Sequence, residues 1–288
     1  IRGMFHSRSD KPQPGMGVLP PDWLDSSFMP AAVRRVSSSR NLRALSLQYG
    51  EPAGDSGLRR ALSNKLASWH VDVSPEHIIT TVGATHALDI ASRTLLRPGD
   101  PVMVEEPGWA IEFARLQALG MRILPVPRLA DGPDVEIMAR YCKEHRPKLY
   151  VSVSVLHNPT GYSLTPGAAH RVLQLAQLHD FFVLEDVSGF AKILAPNWRV
   201  GYMAAPEPLV ERLQDTKLLS SLTTPALLEQ ALAVCLEQGH LRRHAARIRT
   251  RLDQARGRSV KLALASGCTL AAEPQGLFGW VDTSVDTD

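Results

Sequence analysis

Ser188-Gly-Phe-Ala-Lys192-Ile-Leu-Ala-Pro-Asn-Trp-Arg199-Val-Gly-Tyr202 is the stretch whose reading decides the fold. It sets one lysine seven residues ahead of an arginine, with an apolar loop between them and an apolar strand, Val200 to Ala204, after them. Lysine is scarce here, with seven among 32 Lys+Arg. An amine in an apolar, partly desolvated setting has a depressed pKa, so it can attack a carbonyl and form a Schiff base. Arginine is a rigid fork for phosphate. An aldehyde that also carries a phosphate, as pyridoxal phosphate does, asks for both groups. The alternative is a surface lysine and arginine flanking a buried strand, and the other segments decide between the two.

The chain of 288 residues is long enough for a large core and two domains. Hydrophobic content of 44% and charged content of 21% are those of an ordinary globular protein. A net charge of +3 is too balanced to argue for nucleic-acid binding by this chain itself. The three cysteines, Cys142, Cys235 and Cys268, are far apart and lack metal-ligand spacing, so no metal site is expected. They read as thiols of a reducing compartment, and with no secretory signal or membrane-length apolar run the expected location is cytoplasmic.

Residues 1–45 carry Pro12, Pro14, Pro20, Pro21 and Pro30, which exclude long helices and predict an arm or linker, with a short helix over Phe28 to Val36. Leu47-Gln-Tyr49-Gly-Glu-Pro-Ala-Gly54-Asp-Ser-Gly57-Leu58-Arg59 is a glycine-punctuated loop feeding a helix with apolar Leu58, Leu62, Leu66 and Trp69, Ser56 serving as N-cap. Ile78 to Val82 predicts a strand, ending in Gly83-Ala84-Thr85 before a helix over His86 to Leu96. Strand, small-residue turn and helix N-terminus make an anion site, because free N–H groups and the helix dipole point at the turn. Pro101 to Glu105 is a second buried strand, and Glu106-Pro107-Gly108-Trp109 then presents an aromatic ring, either as a stacking platform or as a cap on the core. Met121 to Val126 and Leu149 to Val155 are further strands, the latter leading into His157-Asn158-Pro159-Thr160-Gly161. Thr165-Pro166 opens a helix to about His179, and Phe181 to Glu185 is another buried strand, closed by Asp186. A carboxylate there needs a cationic partner, and a protonated pyridine nitrogen would be one.

The alternation predicts an α/β sheet, mostly parallel, with its ligand at the C-terminal ends of the strands. Gly83, Trp109, Asn158 and Asp186 all fall at such ends. Beyond Tyr202 the chain turns helical, over Pro225 to Glu237 and over an arginine-rich Leu241 to about Val260 whose charges read as a solvated face. Gly276 to Val281 is expected to be a strand of a second, smaller domain.

These motifs together resemble the fold-type I aminotransferases of class I/II, most closely the aminotransferase-like domain of MocR-type GntR regulators. The resemblance covers nearly the whole chain. It implies a mostly parallel large domain with helices on both faces plus a smaller α+β C-terminal domain, divided as arm 1–45, large domain 46–238 and part of the smaller domain 239–288. It implies pyridoxal 5'-phosphate bound through Lys192, with Asp186 on the pyridine N–H, Asn158 on the phenolic oxygen and Trp109 stacked on the ring. The phosphate would lie on Gly83, Ala84 and Thr85 with Arg199 as its fork. Tyr49 would reach the phosphate of a neighbouring subunit, which implies a homodimer with shared sites.

Three features depart from the family pattern. The position three before the lysine, where the family places a hydroxyl residue, is Gly189, with Ser188 one further back. Only five residues separate Asp186 from Lys192, where the family carries a longer segment with an aromatic residue near the ring and a further strand. The family's arginine for the substrate carboxylate would lie past Asp288. Two functions fit the same site: the effector domain of a regulator that binds an amino acid or 2-oxo acid and acts on DNA through a winged helix outside this chain, or a free-standing amino acid aminotransferase. Arg2-Gly3-Met4-Phe5 resembles the end of a winged-helix wing. A degenerate domain that binds no cofactor is the third reading.

Overall fold

The structure is a computed structural model that describes residues 17, 19–24, 28–186, 190, 192–194, 196–270 and 273–283. The expectations placed on residues 1–16, Arg2 to Phe5 among them, and on Ser188, Gly189 and Ala191 lie outside the described residues. The strands in chain order are β1 (Ile78–Thr81), β2 (Pro101–Glu106), β3 (Arg122–Pro127), β4 (Leu149–Ser152), β5 (Phe182–Glu185), β6 (Gly201–Ala204), β7 (Thr269–Leu270) and β8 (Val281–Asp282). The helices are α1 (Pro21–Leu24), α2 (Phe28–Val36), α3 (Ser39–Ser46), α4 (Ser56–Ala67), α5 (Ala84–Leu95), α6 (Ala110–Ala118), α7 (Val135–His145), α8 (Pro166–His179), α9 (Glu207–Ser221), α10 (Ala226–Glu237) and α11 (His240–Ala265). Two compact units interleave along the sequence: Ile1–Gly17, Leu95–Val187 and Arg251–Asp288 form the first, Val18–Thr94 and Ser188–Thr250 the second.

The first unit is built on a four-stranded sheet of order β3-β2-β4-β5, every pair parallel. Its inner strands read as apolar runs, Pro101 to Val104 and Leu149 to Val151, because both faces are covered. Alternate side chains of β2 and β4 go to opposite faces. Met103 and Tyr150 pack with Met138 and Cys142 of α7 and Val172 of α8. Val102, Val104, Leu149 and Val151 pack with Leu116 of α6. Asp134 caps α7 by accepting from the N–H groups of Glu136 and Ile137, and Thr165 caps α8 by accepting from Ala168 N–H, with Pro166 at the first helical position.

Phe182 to Glu185 forms its strand but is not buried as expected. Phe182 is 45% exposed and Val183 36%. The reason is position: among the described residues β5 pairs with β4 alone and is the sheet's edge. The expected strand over Gly276 to Val281 shrinks to Val281–Asp282, paired antiparallel with Thr269–Leu270. Gly276 and Gly279, with no side chains to pack, weaken the earlier part.

In the second unit β1 and β6 form an antiparallel pair with Ile78 opposite Ala204 and Thr81 opposite Gly201. Leu58, Leu62 and Leu66 of α4 bury against Ile78, Leu194, Val200 and Leu232. The cap of α4 is Asp55 rather than Ser56: its Oδ1 accepts from Leu58 N–H at 2.8 Å, which starts the helix at Ser56 itself. Phe28–Val36 is helical over the expected span. Among the described residues no helix is long and apolar enough to cross a membrane.

Candidate functional site

The second unit contributes a turn shaped for an anion. β1 ends at Thr81 and α5 begins at Ala84, so the intervening Gly83 must reverse the chain, and it does so at φ +80°, where a side chain is strained. Thr81 Oγ1 donates to Gly83 O at 3.0 Å. Two neighbours close on this turn. A Cβ on Gly83 would fall 2.4 Å from Arg199 Nη2, so the guanidinium lies directly over it. Arg199 Nη2 also donates to Val82 O at 3.3 Å. A Cβ on Gly201, the first residue of β6, would fall 2.6 Å from the Gly83 carbonyl carbon. Glycine at both positions lets strand, turn and guanidinium approach one another. In the first turn of α5 His86 N–H donates to Gly83 O, as Ala87 N–H does after it, while Ala84 and Thr85 N–H have no acceptor among the described residues. An oxyanion held there would meet those N–H groups, the helix dipole and a guanidinium at once.

His86, in the first turn of α5, stiffens the same corner. Its Nδ1 accepts from Val82 N–H at 3.1 Å, so its proton sits on Nε2, 3.0 Å from Ser220 Oγ. Ser220 in turn donates to Lys217 O. Burial lowers the His86 pKa, which keeps the ring in this neutral form.

Lys192 lies in the turn of residues 192–194 and is exposed, while Ile193 is half-buried and Leu194 buried. The apolar neighbours therefore turn inward and the lysine outward, instead of into the apolar setting expected. Tyr49 is 82% exposed.

The lysine that this fold desolvates is one the sequence reading passed over. Lys217 of α9 is fully buried, and burial pushes its pKa down to about 8, against the opposing pull of Glu229. Its Nζ donates to Pro52 O at 2.8 Å and to Thr80 Oγ1 at 3.5 Å. Thr80 Oγ1 lies 2.9 Å from Thr224 Oγ1, and Thr224 donates to Glu229 Oε1. Two hydroxyls thus link the ammonium to the carboxylate. Glu229 Oε2 also accepts from Asp55 N–H at 2.8 Å.

In the first unit three predicted residues follow adjacent parallel strands at their C-terminal ends. Trp109 follows β2, Asn158 follows β4, and Asp186 follows β5 directly, its N–H donating to Ser152 O at 2.8 Å. Trp109 and Asn158 are half-buried, and among the described residues the Asn158 amide has no hydrogen-bond partner. Gly83, Ala84, Thr85, Lys192, Arg199 and Tyr49 belong to the second unit.

Beneath Trp109 and Asn158 lies a buried polar cluster, also passed over. Glu105 Oε1 accepts from Arg128 Nη1 at 2.5 Å and from the Tyr150 hydroxyl at 2.8 Å. Its Oε2 accepts from Val153 N–H at 2.9 Å and faces His157 Nε2 at 3.3 Å. Burial first, and the Arg128 charge second, push the His157 pKa down to about 4. The signal was present in the sequence: a carboxylate inside the apolar run Pro101 to Glu105 has to be paired.

Residues 24–188 match the family model described as aminotransferase class I and II. The chain is 26% identical over 280 residues to a Bacillus subtilis protein named "Uncharacterized HTH-type transcriptional regulator YisV", covering 88% of this chain and 57% of that one. It is 29% identical over 228 residues to the 2-aminoadipate transaminase of Thermus thermophilus, covering 68% of this chain and 55% of that one. The solved multiple substrate aminotransferase of Thermococcus profundus shares the fold, with a TM-score of 0.84 at 23% identity over 96% of this chain and 76% of that one. The chain spans about half the length of these two curated relatives.

Proposed function

The chain belongs to the class I and II aminotransferase family, and on that premise we propose that it binds pyridoxal 5'-phosphate as the effector domain of a MocR/GntR-type regulator. The observation that carries the reading is the Gly83 turn under the Arg199 guanidinium, a cradle that a single Cβ would fill. In the first unit the Asn158 amide has no protein partner among the described residues, which leaves it able to donate to a ligand oxygen. Bound there, the cofactor supplies an electron sink for amino-acid chemistry.

Each residue then has a defined task. Arg199 and the N–H groups of Gly83, Ala84 and Thr85 would hold the phosphate. Trp109 would offer a face for stacking, and Asn158 would donate its amide to the phenolic oxygen. The Asp186 carboxylate would hold the proton on the ring nitrogen. Lys192 Nζ would hold the cofactor by its aldehyde and would serve as the base that moves a proton at the substrate carbon. Tyr49, being exposed, is available to a second subunit, which supports a homodimer with shared sites. The division into arm 1–45, large domain 46–238 and part of a smaller domain 239–288 belongs to this reading, as do a cytoplasmic location, an amino acid or 2-oxo acid ligand, and DNA contact through a winged helix outside this chain.

The test is optical. Purified protein given pyridoxal phosphate should acquire the visible absorbance of a cofactor condensed with lysine, and Lys192→Ala should lose it. Protein that stays colourless in excess cofactor refutes the reading. The similarity to 2-aminoadipate transaminase favours a second function, a free-standing aminotransferase. Single-turnover reactions with candidate amino acids separate the two: turnover with 2-oxo acid regeneration supports the enzyme, and binding without turnover supports the regulator.

A further inference from the structure

The Glu105 cluster has no task in the reading above, and its wiring gives it one. Glu105 is 4% exposed, and the side chain of Arg128 is wholly buried. A buried ion pair is expensive to desolvate and is often no more stabilising than apolar packing. What distinguishes this pair is what else it holds.

Proton bookkeeping fixes the direction of every bond. His157 Nε2 stands 3.3 Å from Glu105 Oε2, an electrostatic contact rather than an aligned hydrogen bond, and a carboxylate there favours the proton on Nε2. His157 Nδ1 must then accept from the Thr160 hydroxyl at 2.9 Å, and Thr160 Oγ1 accepts from Tyr162 N–H at 3.3 Å. His157 N–H donates to Tyr162 O at 2.8 Å, and Gly161 N–H donates to His157 O at 2.7 Å. The loop that carries Asn158 is thus closed on itself through His157, whose imidazole is set against Glu105. The hydrogen bond to Glu105 Oε2 comes from Val153 N–H, directly after β4.

Glu105 also adjoins the other loop along the chain. It lies one residue before the end of β2, and the turn Glu106-Pro107-Gly108 leads straight from it to Trp109. That turn is tight enough that a Cβ on Gly108 would fall 2.4 Å from Glu105 O. Glu105 therefore meets the Trp109 turn through its backbone carbonyl, and the chain leading to Asn158 through its carboxylate.

We propose that Glu105 and His157 are positioning residues that hold the Asn158 amide and the Trp109 ring in fixed relation at the C-terminal ends of β2 and β4. The proposal rests on the reading of Trp109 and Asn158 as cofactor contacts. Removing Glu105 would leave buried Arg128 without its carboxylate and threaten folding, so the test is made at His157. His157→Leu removes the imidazole that faces Glu105 and accepts from Thr160. His157→Gln keeps an N–H near the place of Nε2.

Each protein is titrated with pyridoxal phosphate, and the visible band is followed against pH. The melting temperature of the cofactor-free protein is recorded alongside. An amide that donates to the phenolic oxygen favours its ionised form, so loosening Asn158 moves the titration of the band upward. His157→Leu should weaken cofactor binding about tenfold, roughly the worth of one hydrogen bond. It should also shift the band's titration in the direction given by Asn158→Ala, and His157→Gln should restore both. An unmoved band titration in His157→Leu overturns the proposal, whether affinity holds or falls only with the melting temperature. So does failure of His157→Gln to rescue. A wild-type protein that forms no visible band fails the cofactor reading itself, and the proposal falls with it.

Discussion

Lys217 makes the stability of this protein depend on pH in an unusual direction. In the unfolded chain its amine titrates at the ordinary 10.5, and in the fold burial brings it down to about 8. Between those values the unfolded chain binds the proton and the native state does not, so stability rises with pH across the interval. Below pH 8 both states are protonated, and the native state bears the whole cost of a buried ammonium. The fall from 10.5 to about 8 corresponds to about 3 kcal/mol over the full window. By pH 9 about 1 kcal/mol of it should have appeared, roughly 2–4 °C in melting temperature for a chain of this size. Cys142 and Cys235 act oppositely, because burial raises their thiols and the unfolded chain ionises first above about pH 9. Lys217→Met isolates the lysine, since the thiols are common to both proteins. Melting temperatures of wild type and variant, measured from pH 6 to 9.5, should converge or cross by this increment as pH rises. A constant difference across the range would refute the reasoning.

Three other outcomes are expected. Gly54→Ala should cost at least ~3 kcal/mol or prevent folding, because its Cβ would fall 1.8 Å from Thr80 Oγ1 at a φ of +96°; urea denaturation measures it. Arg199→Met should weaken pyridoxal phosphate binding by roughly 10- to 150-fold, the worth of a hydrogen bond to a charged group, with the melting temperature almost unchanged because Arg199 is exposed; calorimetric titration reads it. Acid should destabilise the fold through His157. Its folded pKa of about 4 lies below the ordinary 6.5, so its contribution is present above pH 6.5 and is lost towards pH 4, about 3 kcal/mol in all. His157→Gln, which cannot titrate, should show a correspondingly flatter melting profile over that window.

The sequence was legible where local chemistry acts alone. Thr165-Pro166 announces α8 because cap and first-turn proline are both local, and the structure starts the helix at Pro166. Strands β2 and β4 were legible because burial on both faces leaves an uninterrupted apolar run. The anion turn was legible in Gly83-Ala84-Thr85, but the approach of Gly201 to it was not, because that contact spans the register of β1 against β6. Lys217 was invisible for the same reason: its partners Pro52 and Thr80 lie 165 and 137 residues away. Around Lys192 the apolar character of Ile193 and Leu194 was legible, while the outward direction of the lysine was not, since a turn sets it. Glu105 and His157 meet only because β2 and β4 are neighbours.

The edge at β5 has a consequence outside chemistry. Sheet edges in globular proteins are commonly guarded by lysine, proline or a bulge, and Phe182-Val183-Leu184-Glu185 has neither lysine nor proline. Among the described residues its outer backbone groups pair with no other strand, so they offer a template to an extended segment, including the same segment in another molecule. Raising the concentration should then favour association through this edge.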